Sequence, residues 1–206
     1  MTASLAAEGR LVTGFADPVH DSQRAFRSLL QALSRPGRPV TLGVPLPGLR
    51  LGAALSRALL CLADEDTPVW WQHDDAASRA WLRFHTGAPA CPETVEARFA
   101  IIEAPLQMPP LAAFSSGTDE APEGSTTLLI ELPSFDAGTA FDCSGPGILD
   151  RATVRVAGLP ERFWAEWELN HGAFPQGVDI VFTCGDRALG LPRTTRARRA
   201  DSMGEG

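Results

Sequence analysis

Two short groups of residues carry side chains that suit the binding of an anion. Arg83 and His85 lie two positions apart, and Arg193 is followed directly by Thr194. Arginine suits phosphate because its planar guanidinium can donate two parallel hydrogen bonds. We therefore take Arg83, His85, Arg193 and Thr194 as candidate anion- or substrate-binding residues. Cations near a helix C-terminus also stabilise the helix, so a purely structural role for Arg83 and His85 stays open.

The absence of lysine limits the chemistry that this chain can perform. All 18 of its basic residues are arginine. A chain without lysine cannot form the Schiff base of ordinary pyridoxal-phosphate (PLP) catalysis, so we expect no such cofactor. A P-loop is excluded as well, because its lysine contacts the terminal phosphates of the nucleotide. Any anion that the protein meets must be held by arginine and backbone amides.

Other groups suggest catalysis only weakly. Cys184 follows an apolar run and His171 lies upstream, but a buried structural cysteine is the commoner situation. The chain contains no Gly-x-Ser-x-Gly turn for a nucleophilic serine. The segment Ser144-Gly145-Pro146-Gly147 resembles a phosphate loop, yet its proline removes one amide and no helical pattern follows. The sequence therefore identifies no catalytic residue.

Metal binding is similarly unsupported. The acidic triplet Asp64-Glu65-Asp66 offers oxygen ligands, but such a triplet is more often a solvated loop. A zinc site would need closely spaced pairs of cysteine and histidine. The cysteines are far apart, at positions 61, 91, 143 and 184, and the histidines stand at 20, 73, 85 and 171. We expect reduced thiols and no metal.

The composition is that of a soluble globular protein. The 206 residues are 44% hydrophobic and 21% charged, which is sufficient for one domain. The net charge of −7 argues against a general nucleic-acid binder. No apolar run approaches the ~20 residues that span a bilayer, and the N-terminus lacks the pattern of a signal peptide. We therefore expect a cytoplasmic protein without a membrane or nucleic-acid partner.

A hairpin near the C-terminus is predicted to position the second candidate group. The run Ile180-Val181-Phe182 predicts a buried strand, Gly185-Asp186 a turn, and Pro192 the end of a returning strand. Asp179 then precedes the first strand, and Arg193 follows the second. Polar groups at the ends of buried strands are a common way to hold a site rigidly. A core hairpin with solvated ends would have the same pattern.

Helical and strand patterns alternate through the rest of the chain. The first helix is predicted to begin at the N-cap Asp21 and to bury Phe26, Leu29, Leu30 and Leu33 on one face. Further helices are predicted over residues 51–62, 74–83 and 160–170 and from residue 110, and strands over 38–42, 69–71, 99–102, 126–132, 141–143 and 153–156. This order predicts an α/β fold with a mixed sheet covered by helices. We expect a poorly ordered segment over 1–16, a single domain over 17–195 and a flexible basic tail over 196–206.

Seven motifs, in order along the chain, resemble those of one protein family. The family is PhnH, the H subunit of the bacterial carbon–phosphorus lyase system, and the resemblance covers about residues 15–195, leaving the tail outside it. The motifs are Pro18-Val19 with Asp21, Gln23, Phe26-Arg27 and Ser34-Arg35-Pro36-Gly37; Leu62-Ala63-Asp64 with Asp66-Thr67-Pro68-Val69-Trp70; Leu82-Arg83-Phe84-His85-Thr86 with Ala88-Pro89; Gly117 with Pro122-Glu123; Gly145-Pro146-Gly147-Ile148; Phe174-Pro175-Gln176-Gly177-Val178-Asp179; and Pro192-Arg193-Thr194-Thr195.

The resemblance implies a role in the use of phosphonates. Proteins of this family act with the G, I and L subunits to displace adenine from ATP by an alkylphosphonate, forming a ribose 1-alkylphosphonate 5-triphosphate that the J subunit later cleaves. They form homodimers and join an assembly with the G, I and J subunits. Their fold is similar to the large domain of PLP-dependent type I transferases, without the cofactor. The chemistry is attributed to the I subunit, so it stays open whether this chain is itself catalytic.

Two hypotheses follow for this chain. In the first, it is a structural subunit whose residues build interfaces within the assembly. In the second, it binds substrate, with Arg83, His85 and Arg193 holding the triphosphate of ATP or the phosphonate. The first is favoured because the sequence has no evident nucleophile, metal site or phosphate loop.

Overall fold

The centre of the structure is a six-stranded mixed sheet. The computed structural model describes residues 12–46 and 48–200. The strands in these ranges are β1 (Val40–Thr41), β2 (Val69–Trp71), β3 (Phe99–Ile102), β4 (Thr127–Glu131), β5 (Thr139–Ser144), β6 (Ala152–Val156), β7 (Asp179–Cys184), β8 (Arg187–Leu191) and β9 (Arg196–Arg199). The central sheet has the order β1-β8-β7-β4-β3-β2. Strands β2, β3, β4 and β7 are parallel, whereas β8 runs antiparallel to both β7 and β1.

Four helices cover this sheet on its two faces. They are α1 (Pro18–Ser34), α2 (Ala53–Leu62), α3 (Ala76–Thr86) and α4 (Phe163–Gly172). Alternate strand residues face opposite layers, since successive side chains of a strand point to opposite sides. Ile101, Leu129 and Val181 pack with α1, α2 and α3, while Ile102, Ile130 and Phe182 pack with α4. The predicted α/β fold with a mixed, helix-covered sheet is therefore confirmed.

Helix α1 differs from its prediction in its start and in its buried face. Its N-cap is Asp17, whose side chain accepts a hydrogen bond from the His20 amide at 3.1 Å, so the predicted cap at Asp21 is wrong. The small residues Ala25 and Ala32 are buried together with Leu29. Phe26 and Leu30 are instead about half exposed, at 51% and 56%, so the prediction that they are buried is wrong as well.

The structure contains a second, smaller sheet, which the sequence did not predict as separate from the central one. It is antiparallel, with the order β6-β5-β9, and its inner face carries Phe141, Val154 and Val156 into the same core as α4. Trp164 of α4 stacks on Phe141 with ring centroids 3.7 Å apart. Strand β9 contains Arg196–Arg199 and pairs with β5 over its length. The prediction of a flexible tail beginning at residue 196 is therefore wrong for these residues.

The remaining predictions about order concern the ends of the chain. Residues 1–11 and 201–206 lie outside the described residues. The Val12 carbonyl accepts a hydrogen bond from His85 and the Phe15 ring lies 5.5 Å from the Arg57 guanidinium, so the described part of the 1–16 segment packs on the domain.

The helix predicted from residue 110 is reduced to a single 3-10 turn, Leu111–Ala113. Among the described helices, none has the length and apolarity needed to cross a membrane.

Candidate functional site

The C-terminal hairpin brings Asp179 and Arg193 together, as the sequence indicated. Strand β7 begins at Asp179, and β8 returns beside it with Leu191 opposite Ile180. The chain leaving β8 therefore passes the start of β7. There the Arg193 amide donates to the Asp179 carboxylate at 2.7 Å, and the two side chains form an ion pair. This pair lies at the amino end of the parallel strands β4 and β7.

The Arg193 guanidinium is bound on all sides by protein groups. Its Nε donates to both oxygens of Asp179 at 3.2 Å, and one terminal nitrogen donates to the carbonyls of Pro122 and Pro175 at 3.0 and 3.1 Å. The other terminal nitrogen donates to Ser125 Oγ and to Asp179. A guanidinium has five N–H donors, and these contacts use all five. Because the side chain is only 11% exposed, Arg193 has no donor available for an anion in this arrangement.

Helix α4 holds the segment that follows Arg193. The Trp167 indole donates to the Thr195 carbonyl at 3.0 Å, and His171 Nδ1 donates to the Arg193 carbonyl at 2.9 Å. These two side chains lie four positions apart, so they point from one face of the helix. Thr194 between the two carbonyls is half-buried. The two anchors were not recognised in the sequence, where Trp167 is indistinguishable from an ordinary core residue.

The first candidate group lies at the end of α3. Trp81 and Leu82 bury the inner face of the helix, which leaves Arg83 and His85 exposed on the outer side. His85 Nε2 donates to the Val12 carbonyl at 3.0 Å, so this ring fastens the N-terminal segment. Arg83 lines a cavity of about 330 Å³ with Trp71 and Arg79. No described hydrogen bond or ion pair joins Arg83 or His85 to Arg193 or Thr194, so the structure does not unite the four candidates in one site.

The opposite end of the parallel strands carries a half-buried carboxylate that the sequence did not single out. Ligands of open α/β sheets commonly bind at this carboxyl end. Glu131, at the end of β4, accepts a hydrogen bond from the amide of Gly52, the N-cap of α2, at 3.2 Å. Burial raises the pKa of Glu131 above its ordinary value, and the nearby Glu103 raises it further. A carboxylate at a helix N-terminus complements the helix dipole, so Glu131 serves as the cap that α2 otherwise lacks.

The weaker alternatives for catalysis gain no support from the geometry. His171 donates its Nδ1 proton to the Arg193 carbonyl, and no described hydrogen bond joins it to Cys184. In the acidic triplet, the Asp64 carboxylate accepts the Asp66 amide at 3.1 Å, which shapes the loop itself. Within residues 12–46 and 48–200, no three histidine, cysteine or acidic side chains are grouped as metal ligands.

The fold and these contacts define the class of protein. The chain is a lysine-free α/β protein with a mixed sheet, in which the Arg193–Asp179 ion pair, here called the clamp, lies at the amino end of the parallel strands. The model of the family PhnH, described as "Bacterial phosphonate metabolism protein (PhnH)", matches residues 13–198. Because this match covers nearly the whole chain, the protein belongs to the PhnH family. The resemblance drawn from the seven motifs is confirmed, and the match continues through Arg198, beyond the limit set at residue 195.

Two curated relatives agree with this assignment. The "Alpha-D-ribose 1-methylphosphonate 5-triphosphate synthase subunit PhnH" of Rhizobium meliloti (strain 1021) is 38% identical over 199 residues, which cover 95% of this chain and 100% of the relative. The "Putative C-P lyase subunit protein HtxG" of Stutzerimonas stutzeri is 30% identical over 175 residues, covering 84% of each chain. Both relatives are named as subunits.

Proposed function

We propose that this protein is an assembly subunit of a carbon–phosphorus lyase system. In this proposal it takes part, with other subunits, in forming ribose 1-methylphosphonate 5-triphosphate. The activity is the one for which the Rhizobium meliloti relative is named, and both relatives are named as subunits. The specific function of this chain is to bind its partners through helix α1.

The observation that carries this proposal is an apolar stripe on the outer face of α1. The stripe consists of Val19, Phe26 and Leu30, which are 63%, 51% and 56% exposed. At 3.6 residues per turn, positions 19, 26 and 30 fall on one side of the helix. Single exposed apolar residues are ordinary, but aligned large ones favour a protein contact. Because the relatives are subunits, the stripe is assigned to another subunit of the complex.

The state of Arg193 supports the same choice between the two hypotheses. A substrate-binding role needs donors directed at solvent, whereas those of Arg193 are directed at Asp179, Ser125 and two backbone carbonyls. The residue therefore stabilises the fold on which the interfaces are built. Arg83 and His85 are the two members of the original group that are exposed.

From the family resemblance we further propose that the isolated protein is a homodimer. Its partners are the G, I and J subunits, with a functional link to L. ATP is the substrate of the complex, and this subunit holds no cofactor. The proposal also includes a cytoplasmic location and a relation of the fold to the large domain of PLP-dependent transferases.

The stripe is tested by reconstitution of the complex. The double variant Phe26→Ser and Leu30→Ser should fold normally and bind the other subunits at least roughly tenfold more weakly, because an apolar contact is replaced by hydroxyls. The matched control is Leu106→Ser with Leu149→Ser, which alters two leucines, 66% and 97% exposed, outside α1. Co-purification measures assembly, and light scattering of the isolated protein reports any change in self-association.

Two results would refute the assignment. One is full assembly of the stripe variant with its partners. The other is an equal loss in the control variant, which would mean that exposed leucines in general, and not this stripe, support the contact. Dissociation of a homodimer with assembly retained is a case of the first result, and it would assign the stripe to self-association instead.

A further inference from the structure

An arginine-lined cavity lies on the outer face of the small sheet, far along the chain from the α1 stripe. Its volume is about 470 Å³. The cavity is lined by Asp142, Cys143, Ser144, Asp150, Arg151, Arg196, Arg198 and Arg199. These residues come from strands β5 and β9 and from the loop that leads into β6.

Strand pairing fixes the positions of the arginines. In the register of β5 with β9, Asp142 is opposite Arg198 and Ser144 is opposite Arg196. Ala197 between the two arginines packs against the core. Since strand side chains alternate between faces, Arg196 and Arg198 are directed away from the core, and both are exposed. The strand thus presents two guanidinium groups side by side.

The charge of this cavity is opposite to that of the whole protein. Four arginines and two aspartates line it, whereas the chain as a whole has a net charge of −7. The Asp142 carboxylate is already engaged, since it accepts from Arg151 at 2.8 Å and from Thr153 at 2.7 Å. Cys143 adds no negative charge at neutral pH, because burial raises the pKa of its thiol to about 11, with a further contribution from Asp142. Because Arg151 is paired with Asp142, the charges that remain in the lining are Arg196, Arg198 and Arg199 against Asp150, so positive groups dominate.

The spacing of the arginines indicates the kind of anion. Residues two apart on a strand are separated by about 6.6 Å, which is wider than a single phosphate group needs. Arginine is the side chain best suited to bind phosphate oxygens in pairs. In the described part of the chain, no hydrogen bond or ion pair engages the side chains of Arg196, Arg198 or Arg199. This contrasts with Arg193, whose donors are all used.

We propose that this cavity, in which Arg196 and Arg198 are the unpaired arginines on the outer face of the strand, is a binding site for a polyanion of linked phosphoryl groups. The inference goes beyond the proposed function, because it assigns ligand binding to the isolated subunit at a surface other than the α1 stripe. It also relocates the anion site predicted from the sequence. The site is at the small sheet, and Arg83, His85, Arg193 and Thr194 are not part of it.

Calorimetric titration of the isolated protein tests this site. Inorganic tripolyphosphate is the probe, and it should bind with an affinity that falls as salt is raised from ~50 to ~200 mM, as expected for contacts with phosphate charges. The variant Arg196→Gln with Arg198→Gln should weaken binding by roughly tenfold or more. Arg196→Lys with Arg198→Lys should retain part of the affinity, because the charge is kept and the paired donors are lost.

The matched control removes two positive charges elsewhere. Arg27→Gln with Arg50→Gln alters two exposed arginines outside the cavity and should leave binding unchanged within about twofold. An equal loss in this control, or no heat with tripolyphosphate at low salt, would overturn the proposal. Orthophosphate and methylphosphonate should bind more weakly than tripolyphosphate. Equal binding of orthophosphate would contradict a site for linked groups, and tighter binding of a polyglutamate peptide would identify an acidic protein surface as the ligand instead.

This test is independent of the assembly test. The titration uses the isolated protein, so its failure would leave the α1 interface untouched. Conversely, loss of assembly in the α1 variant would not affect tripolyphosphate binding, because neither Phe26 nor Leu30 contributes to the cavity.

Discussion

Arg193 connects four parts of the chain, three through its guanidinium group and one through its backbone carbonyl. Its partners lie in β7, in the loop before β4 and in the segment before β7, and its own backbone is held by α4. A buried charge is tolerated only where it is paired and hydrogen-bonded. The complete set of contacts therefore makes this residue a determinant of stability.

The stability role of Arg193 can be measured directly. Arg193→Met should lower the free energy of unfolding by about 3 kcal/mol, because it leaves the Asp179 carboxylate, Ser125 and two carbonyls without their donor. Urea denaturation measures this loss. Arg83→Met is the control and should change stability by less than about 0.5 kcal/mol, since Arg83 is exposed. A variant at position 193 as stable as the unmodified protein would show that the clamp contributes nothing.

At the level of single residues, the sequence predicted only the contacts within the hairpin. The predicted strand, turn and returning strand bring Asp179 near Arg193 without further information. The contacts with Pro122 and Ser125 join positions about 70 residues apart, as in the Arg193–Pro122 bond, and local patterns do not encode such pairings. Whether Arg193 can bind an anion depends on these distant partners, and the sequence alone does not reveal them.

Among the elements, the packing of α1 on β8 explains why small residues lie on the inner face of the helix and two large ones on its outer face. Gly190 in β8 lies against the backbone of α1, where a Cβ atom would be 2.5 Å from the Ala32 carbonyl oxygen. The close approach requires small residues on the helix, which are Ala25 and Ala32. Phe26 and Leu30 consequently lie on the outer side, where they are available to a partner.

This contact predicts a large effect for a small substitution. Gly190→Ala should destabilise the protein by about 2 kcal/mol, because backbone atoms of α1 must move to admit the methyl group. Thermal or urea unfolding checks this value. Gly172→Ala provides the comparison, since no atom lies within 4 Å of its added Cβ, and it should be neutral or stabilising by up to about 1 kcal/mol. Equal effects at the two positions would contradict the close-packed interface.

The sequence predicted best the strands in which consecutive residues are buried. Strands β3, β4 and β7 are apolar runs buried on both faces, and a run of that kind is readable without the partner strand. Strand β9, with the residues Arg196–Arg199, has no apolar pattern. It is a strand because its backbone pairs with β5, which local propensity does not reveal. The same lack of pattern concealed the arginine cavity.

The two sheets in the described part of the chain share one of its apolar clusters. Phe141 and Val154 of the small sheet belong to the same buried cluster as Ile130 and Phe182 of the central sheet, and α4 contacts both. Two sheets joined by a continuous core should not unfold separately. The anion site and the assembly helix are then carried by one cooperative unit.

Native-state amide hydrogen exchange distinguishes one unit from two. The central amides of β5 should exchange with the same free energy of opening as those of β4 and β7, within about 1 kcal/mol, because exposing Phe141 also removes the packing of Trp164 and Phe163 from the central sheet. The edge strands β6 and β9 should exchange faster, since each has a neighbour on one side only. Exchange of β5 at a clearly lower free energy would show that the small sheet opens alone. The arginine cavity would then open independently of the central sheet, and its ligand would raise the free energy of that local opening.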